Sequence, residues 1–238
     1  MPLKVLSVAS EVVPLVKTGG LADVVGRSPP PSQAMAWRPR PWCLGILLCW
    51  RLLAGGQRLF TPGIPPRHAG AVAHRRTGRG HPLLVLDAPA LYAREGAPYT
   101  DAAGRDWGDN WQRFAALSRA AADLAGGAMS RRGKPLGYDL LHAHDWQAAL
   151  APAYLRYAPF SGRAVPSVIT VHNIAFQGWF GAEVFPQLGL PGGLGAGRRG
   201  VPWRRRDVEG GPCKRRRGHD GKPDLRPGNT IRRVRDGT

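Results

Sequence analysis

Residues 139–157 read DLLHAHDWQAALAPAYLRY. The apolar run predicts a strand over 139–144, and Asp145-Trp146-Gln147 opens a helix that runs toward Tyr157. Pro152 fits that helix only in a first turn or at a kink, because proline lacks an N–H and its ring clashes with the preceding turn. A strand that hands over directly to a helix is the repeating unit of parallel sheets. The unit recurs outward from this point. KVLSVAS at 4–10 is a strand, followed by a loop through Pro14, the turn Lys17-Thr18-Gly19-Gly20 and a helix start at Leu21. LLVLD at 83–87 is a second strand ended by Pro89, and VPSVITV at 165–171 is a fourth, ended by His172-Asn173. Between them, Trp111, Phe114, Ala115, Ala121, Ala122, Ala125 and Met129 keep near-helical spacing, with Asp106 or Asp109 available as cap and Gly126-Gly127 weakening the last turn. The expected class is α/β, a parallel sheet covered on both faces.

The chain has 238 residues, 34 Lys+Arg against 16 Asp+Glu, and a formal charge of +18. Hydrophobic residues at 43% exclude a wholly disordered or collagen-like chain. Cys43, Cys49 and Cys213 leave an odd thiol in any pairing and match no zinc spacing, which disfavours a disulfide-stapled or zinc-ribbon design. The longest apolar run, 42–53, contains Arg51 and falls short of the roughly 20 residues that cross a bilayer. Glu11 sits inside what would be the apolar stretch of an export signal. The expectation is a cytoplasmic protein in a reducing compartment, with no membrane partner.

Charge is concentrated in two segments. Residues 28–81 hold eight Arg and no acid, and residues 192–238 hold fourteen basic and five acidic residues. Neither keeps apolar alternation, since Pro and Gly interrupt every start, and both read as unpacked chain. One explanation is a pair of basic arms that neutralise nucleic-acid phosphates, for which RRR at 204–206 and KRRR at 214–217 speak most strongly. The favoured explanation is that Arg, Pro, Gly, Trp and Cys with scarce Lys reflect GC-rich coding DNA read out of register. The expected organisation is therefore one domain over 1–191, atypical and disordered over 28–81, and a basic low-order tail over 192–238.

In open parallel sheets, ligands bind beyond the carboxyl ends of the strands, where loops converge and helix N-termini point their free N–H groups. After the first strand stand Lys17 and the Gly19-Gly20 pair, which suit either an anion site or an ordinary glycine turn with a solvated lysine. The segment matches neither of the standard glycine-rich phosphate motifs. After the third strand, His142 and His144 share one strand face without a third metal ligand, and satisfied structural histidines are expected. Asp145 suits a helix cap or a ligand for hydroxyls equally. His172-Asn173 repeats the pattern, followed by the loop Phe176-Gln177-Gly178-Trp179-Phe180, which suits a lid over the core or a sugar platform.

Taken together, KVLSVASEVVPLVKTGGLADVVG, LLVLDAPALYAREGAPY, LLHAHDWQAALAPAYL and SVITVHNIAFQGWF resemble the bacterial glycogen synthases and plant starch synthases, in that family's order. The resemblance covers residues 1–27 and about 82–191. It implies a glycosyltransferase of the GT-B type, two Rossmann-like α/β halves with the reaction in the cleft between them. This chain would hold most of the N-terminal half, with the C-terminal half absent. By motif, Lys17 looks like the family's ADP-glucose-binding lysine, with Gly19 and Gly20 beside the phosphates. Asp145 and His172 look like the catalytic cleft residues that hold the glucosyl group, and Asp23, Tyr99 and Asn173 occupy further substrate-binding positions. The implied reaction moves glucose from ADP-glucose to an α-1,4-glucan acceptor with retention, with no required metal or other cofactor. The family's leaving-group cations lie on the second half, so the chain alone is expected to be inactive. A basic nucleic-acid-binding protein is the alternative, against which the arms lack interleaved aromatics and Lys. A dinucleotide oxidoreductase ranks third, because the G-x-G-x-x-G turn is missing.

Overall fold

The computed structural model describes residues 3–26, 42–45, 57–63, 71–76, 82–130 and 132–192. Seven strands form one sheet: β1 (Val5–Ala9), β2 (Trp42–Gly45), β3 (Gln57–Phe60), β4 (Ala71–Arg76), β5 (Pro82–Asp87), β6 (Leu140–His144) and β7 (Ser167–Thr170), in the spatial order β3-β4-β5-β2-β1-β6-β7. Strands β5, β2, β1, β6 and β7 are mutually parallel. β3 and β4 add an antiparallel ribbon, with β4 paired antiparallel to β5. The α/β class is as expected, and the ribbon makes the sheet mixed.

The middle of the sheet differs from the sequence reading. Residues 28–81 were expected to be unpacked, yet β2, β3 and β4 all lie there, and β2 stands between β1 and β5. A four-residue strand leaves too short a window for alternation to register. What stabilises it is the ladder offered on each side, by Leu6 to Ala9 of β1 and by Leu83 to Val85 of β5. The expected tail, apart from Gly192, lies outside the described residues.

After β1 the chain adds strands on one side only, then crosses through α2 (Pro89–Tyr92) and α3 (Asn110–Ala125) to place β6 on the opposite side of β1. The connections after β1 and β6 therefore diverge, and a crevice opens between the carboxyl ends of these two neighbours. β1 is buried along its whole length. Leu6, Val8, Leu84, Leu86 and Leu141 form the core with Phe114, Leu117, Ala120, Ala121 and Leu124 of α3. The alanine face both favours helix and lets the backbone lie close on the sheet.

Three local expectations are corrected. α3 ends at Ala125 rather than reaching Met129, which is half exposed; Gly127, at φ 94°, takes the left-handed turn that closes the helix. Asp109 is the N-cap residue of α3 but makes no cap bond, because its carboxylate grips the Arg94 guanidinium at 2.6 and 2.8 Å. The helix expected after Asp145 is two pieces, α4 (Asp145–Ala148) and α5 (Leu150–Tyr157). Pro152 falls in the first turn of α5, where no N–H is missed.

Because Ala121 has no exposed surface, Ala121→Leu is expected to destabilise the chain by about 1–3 kcal/mol through overpacking between α3 and the sheet. A urea midpoint equal to that of the unsubstituted protein would contradict this packing.

Candidate functional site

Asp145 begins α4 with φ 55°, the left-handed region, where among the described residues it is the only non-glycine. Aspartate is one of the few side chains that tolerate this conformation. The sharp turn aims its carboxylate at the end of β7, where Oδ1 accepts the backbone N–H of His172 at 2.6 Å and of Asn173 at 3.4 Å. Asp145 is thus an anchor between two strand ends. The N-cap position of α4 falls on His144, which makes no side-chain cap bond. The Asn173 side chain folds back locally, its Oδ1 accepting the N–H of Ala175 at 3.0 Å.

The imidazoles form a connected set. His144 is 4% exposed and bonds on both nitrogens, Nε2 to the Ser7 hydroxyl at 3.0 Å and Nδ1 to His172 Nε2 at 2.9 Å. His142 bonds Thr170 Oγ1 at 2.7 Å and lies 4.1 Å, centroid to centroid, from the His144 ring. Burial, with His142 and His172 alongside, pushes the His144 pKa down to about 3. A neutral His144 carries one ring proton, so it donates to one neighbour and accepts from the other. Both His142 and His144 are satisfied, in keeping with the structural role expected. Among the described residues no group of three or more His, Cys, Asp or Glu is placed to hold a metal.

At the end of β1, Lys17 and Asp23 form an ion pair at 2.8 Å, with the lysine side chain about half exposed. Gly20 is the first residue of α1 (Gly20–Gly26). A Cβ at Gly19 or Gly20 would meet no protein atom within 4 Å, so the space beside the turn is open. The Gly19 N–H is directed at Glu11 Oε2, 3.3 Å away. Tyr99 shares its hydroxyl with Ser10 Oγ at 2.7 Å and with Glu11 Oε1. Burial, followed by its hydrogen bond to Glu11, holds that phenol well above its ordinary pKa.

An aromatic chain joins the two clusters from beneath. Tyr99 packs on Phe114 at 6.0 Å, Phe114 meets Trp146 edge-on at 4.7 Å, and Trp146 meets Phe180 at 5.9 Å. Gly178, at φ 62°, lies so close to Trp146 that a Cβ would overlap the indole at 2.1 Å. Phe176 and Trp179 point outward, 68% and 56% exposed. The loop is therefore pinned on Trp146 through Phe180 and Gly178, with Phe176 and Trp179 left facing solvent.

Sequence reasoning missed three supporting residues. Glu11 is 3% exposed and ties the turn to Tyr99. Ser7 reaches His144 from β1. Arg113, with no exposed surface, donates to the carbonyls of Leu91 at 3.1 Å and Pro98 at 2.8 Å, which shapes the segment leading to Tyr99. A charged residue at the end of an apolar strand and one inside an alanine-rich helix were the signals available.

β1, β6 and β7 are consecutive and parallel, so their carboxyl ends share one edge of the sheet. Asp145, His172 and Asn173 touch one another there, Lys17, Gly19, Gly20, Asp23 and Tyr99 gather beside Glu11, and Ser7–His144 is the side-chain link between β1 and β6. An open α/β unit with its polar groups at the switch point defines the Rossmann-like class. The family profile described as starch synthase catalytic domain matches residues 4–37 and 57–202, and the chain belongs to that family. Its gap at 38–56 is narrower than the atypical segment expected at 28–81, and its end at 202 lies beyond 191. A glycogen synthase of Novosphingobium aromaticivorans is 55% identical over 194 residues, 80% of this chain and 39% of that protein. Glycogen synthase 1 of Rhizobium meliloti is 47% identical, over 79% of this chain and 38% of its own length. The catalytic domain of starch synthase IV from Arabidopsis thaliana, bound to ADP and acarbose, shares the fold with a TM-score of 0.58 at 23% identity, covering 80% of this chain and 38% of that one. The chain thus spans about two fifths of the length of these relatives.

Between pH 6.5, the ordinary imidazole value, and about 3, the unfolded chain binds a proton at His144 that the folded chain does not. Stability therefore rises with pH across that window, by up to about 1.4 kcal/mol per pH unit for one group, is full above it, and is lost on acidification. His144→Asn, which keeps a donor near the Nδ1 position but does not titrate, is expected to flatten this slope in urea melts between pH 4.5 and 7. An unaltered slope would contradict the buried neutral imidazole. Asp145→Ala is expected to cost about 1–3 kcal/mol and to speed amide exchange at His172 and Asn173; unchanged exchange there would refute the anchor.

Proposed function

We propose that this chain forms the donor side of a cytoplasmic glucosyltransferase that moves glucose from ADP-glucose to the non-reducing end of an α-1,4-glucan such as glycogen. The observation that carries this is the Asp145 carboxylate holding the backbone of His172 and Asn173, on the sheet edge that also carries the Lys17-Thr18-Gly19-Gly20 turn. Lys17 exchanges its contact with Asp23 for the donor's phosphates, and the open space beside Gly19 and Gly20 admits them. Asp145, His172 and Asn173 present oxygen and nitrogen atoms to the glucosyl hydroxyls, and Tyr99 belongs to the same side. In the transfer the bond from the anomeric carbon to the phosphate oxygen breaks and the electron pair leaves with ADP. The acceptor's 4-hydroxyl oxygen bonds the anomeric carbon and passes its proton to the departing phosphate. Cations balance the charge that grows on ADP, with Lys17 the contribution from this half.

Transition-state stabilisation depends on groups acting together from both walls of a cleft. The chain spans 39% of its Novosphingobium relative, so we expect no measurable transfer from the chain alone. Among the described residues no helix is long and apolar enough to cross a membrane. The comparisons give the nucleic-acid reading no support, and the Arg runs at 204–206 and 214–217 on which it rests lie outside the described residues.

Calorimetric titration with ADP is expected to show binding that Lys17→Ala weakens at least about tenfold, or about 1.4 kcal/mol, while labelled glucose from ADP-glucose does not reach glycogen. Binding indifferent to Lys17, or transfer by the K17A chain, would overturn the assignment.

A further inference from the structure

Glu11 is a nearly buried carboxylate, 3% exposed, just past the end of β1. Oε2 accepts the backbone N–H of Thr18 at 2.5 Å and of Gly19 at 3.3 Å, while Oε1 accepts the Thr18 hydroxyl at 2.5 Å and the Tyr99 hydroxyl. An ionised carboxylate offers about four lone-pair positions, and here each has a donor. Those donors come from two parts of the chain far from each other in sequence, the turn at 18–19 and the segment that Arg113 and Asn110 hold at Pro98 and Tyr99.

The arrangement changes how the glycine turn works. Backbone amides of such a turn are the usual donors to a phosphate, but the Thr18 and Gly19 amides already face an internal anion. A diphosphate entering from solvent cannot use them without evicting a carboxylate from beneath Tyr99. What the turn offers outward is the Lys17 ammonium, half exposed, and the open space beside Gly19 and Gly20.

We infer that Glu11 is a positioning residue of the donor site: it clamps the turn at Thr18 and Gly19, with Tyr99 as its second support, and so fixes where Lys17 meets the phosphates. This rests on the proposed function. Tyr99 then acts through Glu11. An alanine in this place leaves the Thr18 and Gly19 N–H groups and the Thr18 and Tyr99 hydroxyls without their acceptor, whereas a glutamine can turn its carbonyl oxygen to the two N–H groups and its NH2 to the two hydroxyls, which accept.

The test uses the full chain with Glu11→Ala, ADP as probe, site-resolved amide exchange and the ultraviolet titration of Tyr99. E11A is expected to speed exchange at Thr18 and Gly19 at least about tenfold, leave the β1 amides protected, weaken ADP binding at least about tenfold, and let Tyr99 ionise at lower pH, while Glu11→Gln restores most of the exchange protection. Thr18→Val removes one donor and is expected to shift exchange at Gly19 and ADP affinity in the same direction by less, which keeps the test in force if E11A does not fold. An E11A chain, or failing that a T18V chain, that holds ADP as tightly as the unsubstituted protein overturns the positioning role. Absence of ADP binding by the unsubstituted chain overturns the donor-site reading instead, and unchanged exchange at Thr18 and Gly19 overturns the clamp.

Discussion

The hydrogen bond between Ser7, in the middle of β1, and His144, the last residue of β6, is 3.0 Å long and is the contact on which the edge of the sheet depends. β1 and β6 meet where the direction of chain addition reverses, and His142, on the same face of β6, is engaged with Thr170 instead. A buried polar group left without a partner costs about 1–3 kcal/mol, so each of these two requires the other. A slip of one residue in either strand would put the two on opposite faces and orphan them. The bond therefore specifies register at the place where the crevice opens. His144 carries that specification on to His172 at the end of β7.

Carboxylates hold the rim by a second device. Asp145 accepts amides from 172–173, and Glu11 accepts amides from 18–19. In each case a buried acid at one point of the edge immobilises the backbone of a loop at another. Their negative charge is spent inward on N–H and O–H donors, while Lys17 stays turned toward solvent. Beside them the line from Tyr99 to Phe180, half-buried apart from the buried Phe114, and the buried Arg113 fix the supporting segments. Such a rim is pre-organised, since its loops are ordered by contacts made before any ligand arrives.

Strands β1, β5, β6 and β7 and the helices after them were legible because each combines a Val/Leu/Ile run with a breaker at its end. Strands β2, β3 and β4 were not. They are four to six residues long in a stretch crowded with Arg, Pro and Gly, and their stabilisation comes from neighbouring ladders rather than from a pattern of their own. Asp109 misled for a related reason: a free acid before a helix signals a cap, but Arg94, fifteen positions earlier, offered it a bidentate ion pair.

By itself the sequence determined the α/β class, the succession of β1, β5, β6 and β7 along the chain, and which side chains stand near the strand ends: Asp145, His172 and Asn173 follow their strands closely and Lys17 lies in the loop after β1, and local spacing suffices to put them there. Only the tertiary structure decided what those side chains do to one another. The strand order, which places β6 beside β1, is set by packing across the whole sheet, and no local window contains it. The pairing of Glu11 with Tyr99 and of Ser7 with His144 spans 88 and 137 positions. Which donor a buried acid or imidazole finds depends on what the completed core leaves within hydrogen-bonding distance, and that is a property of the fold rather than of any segment.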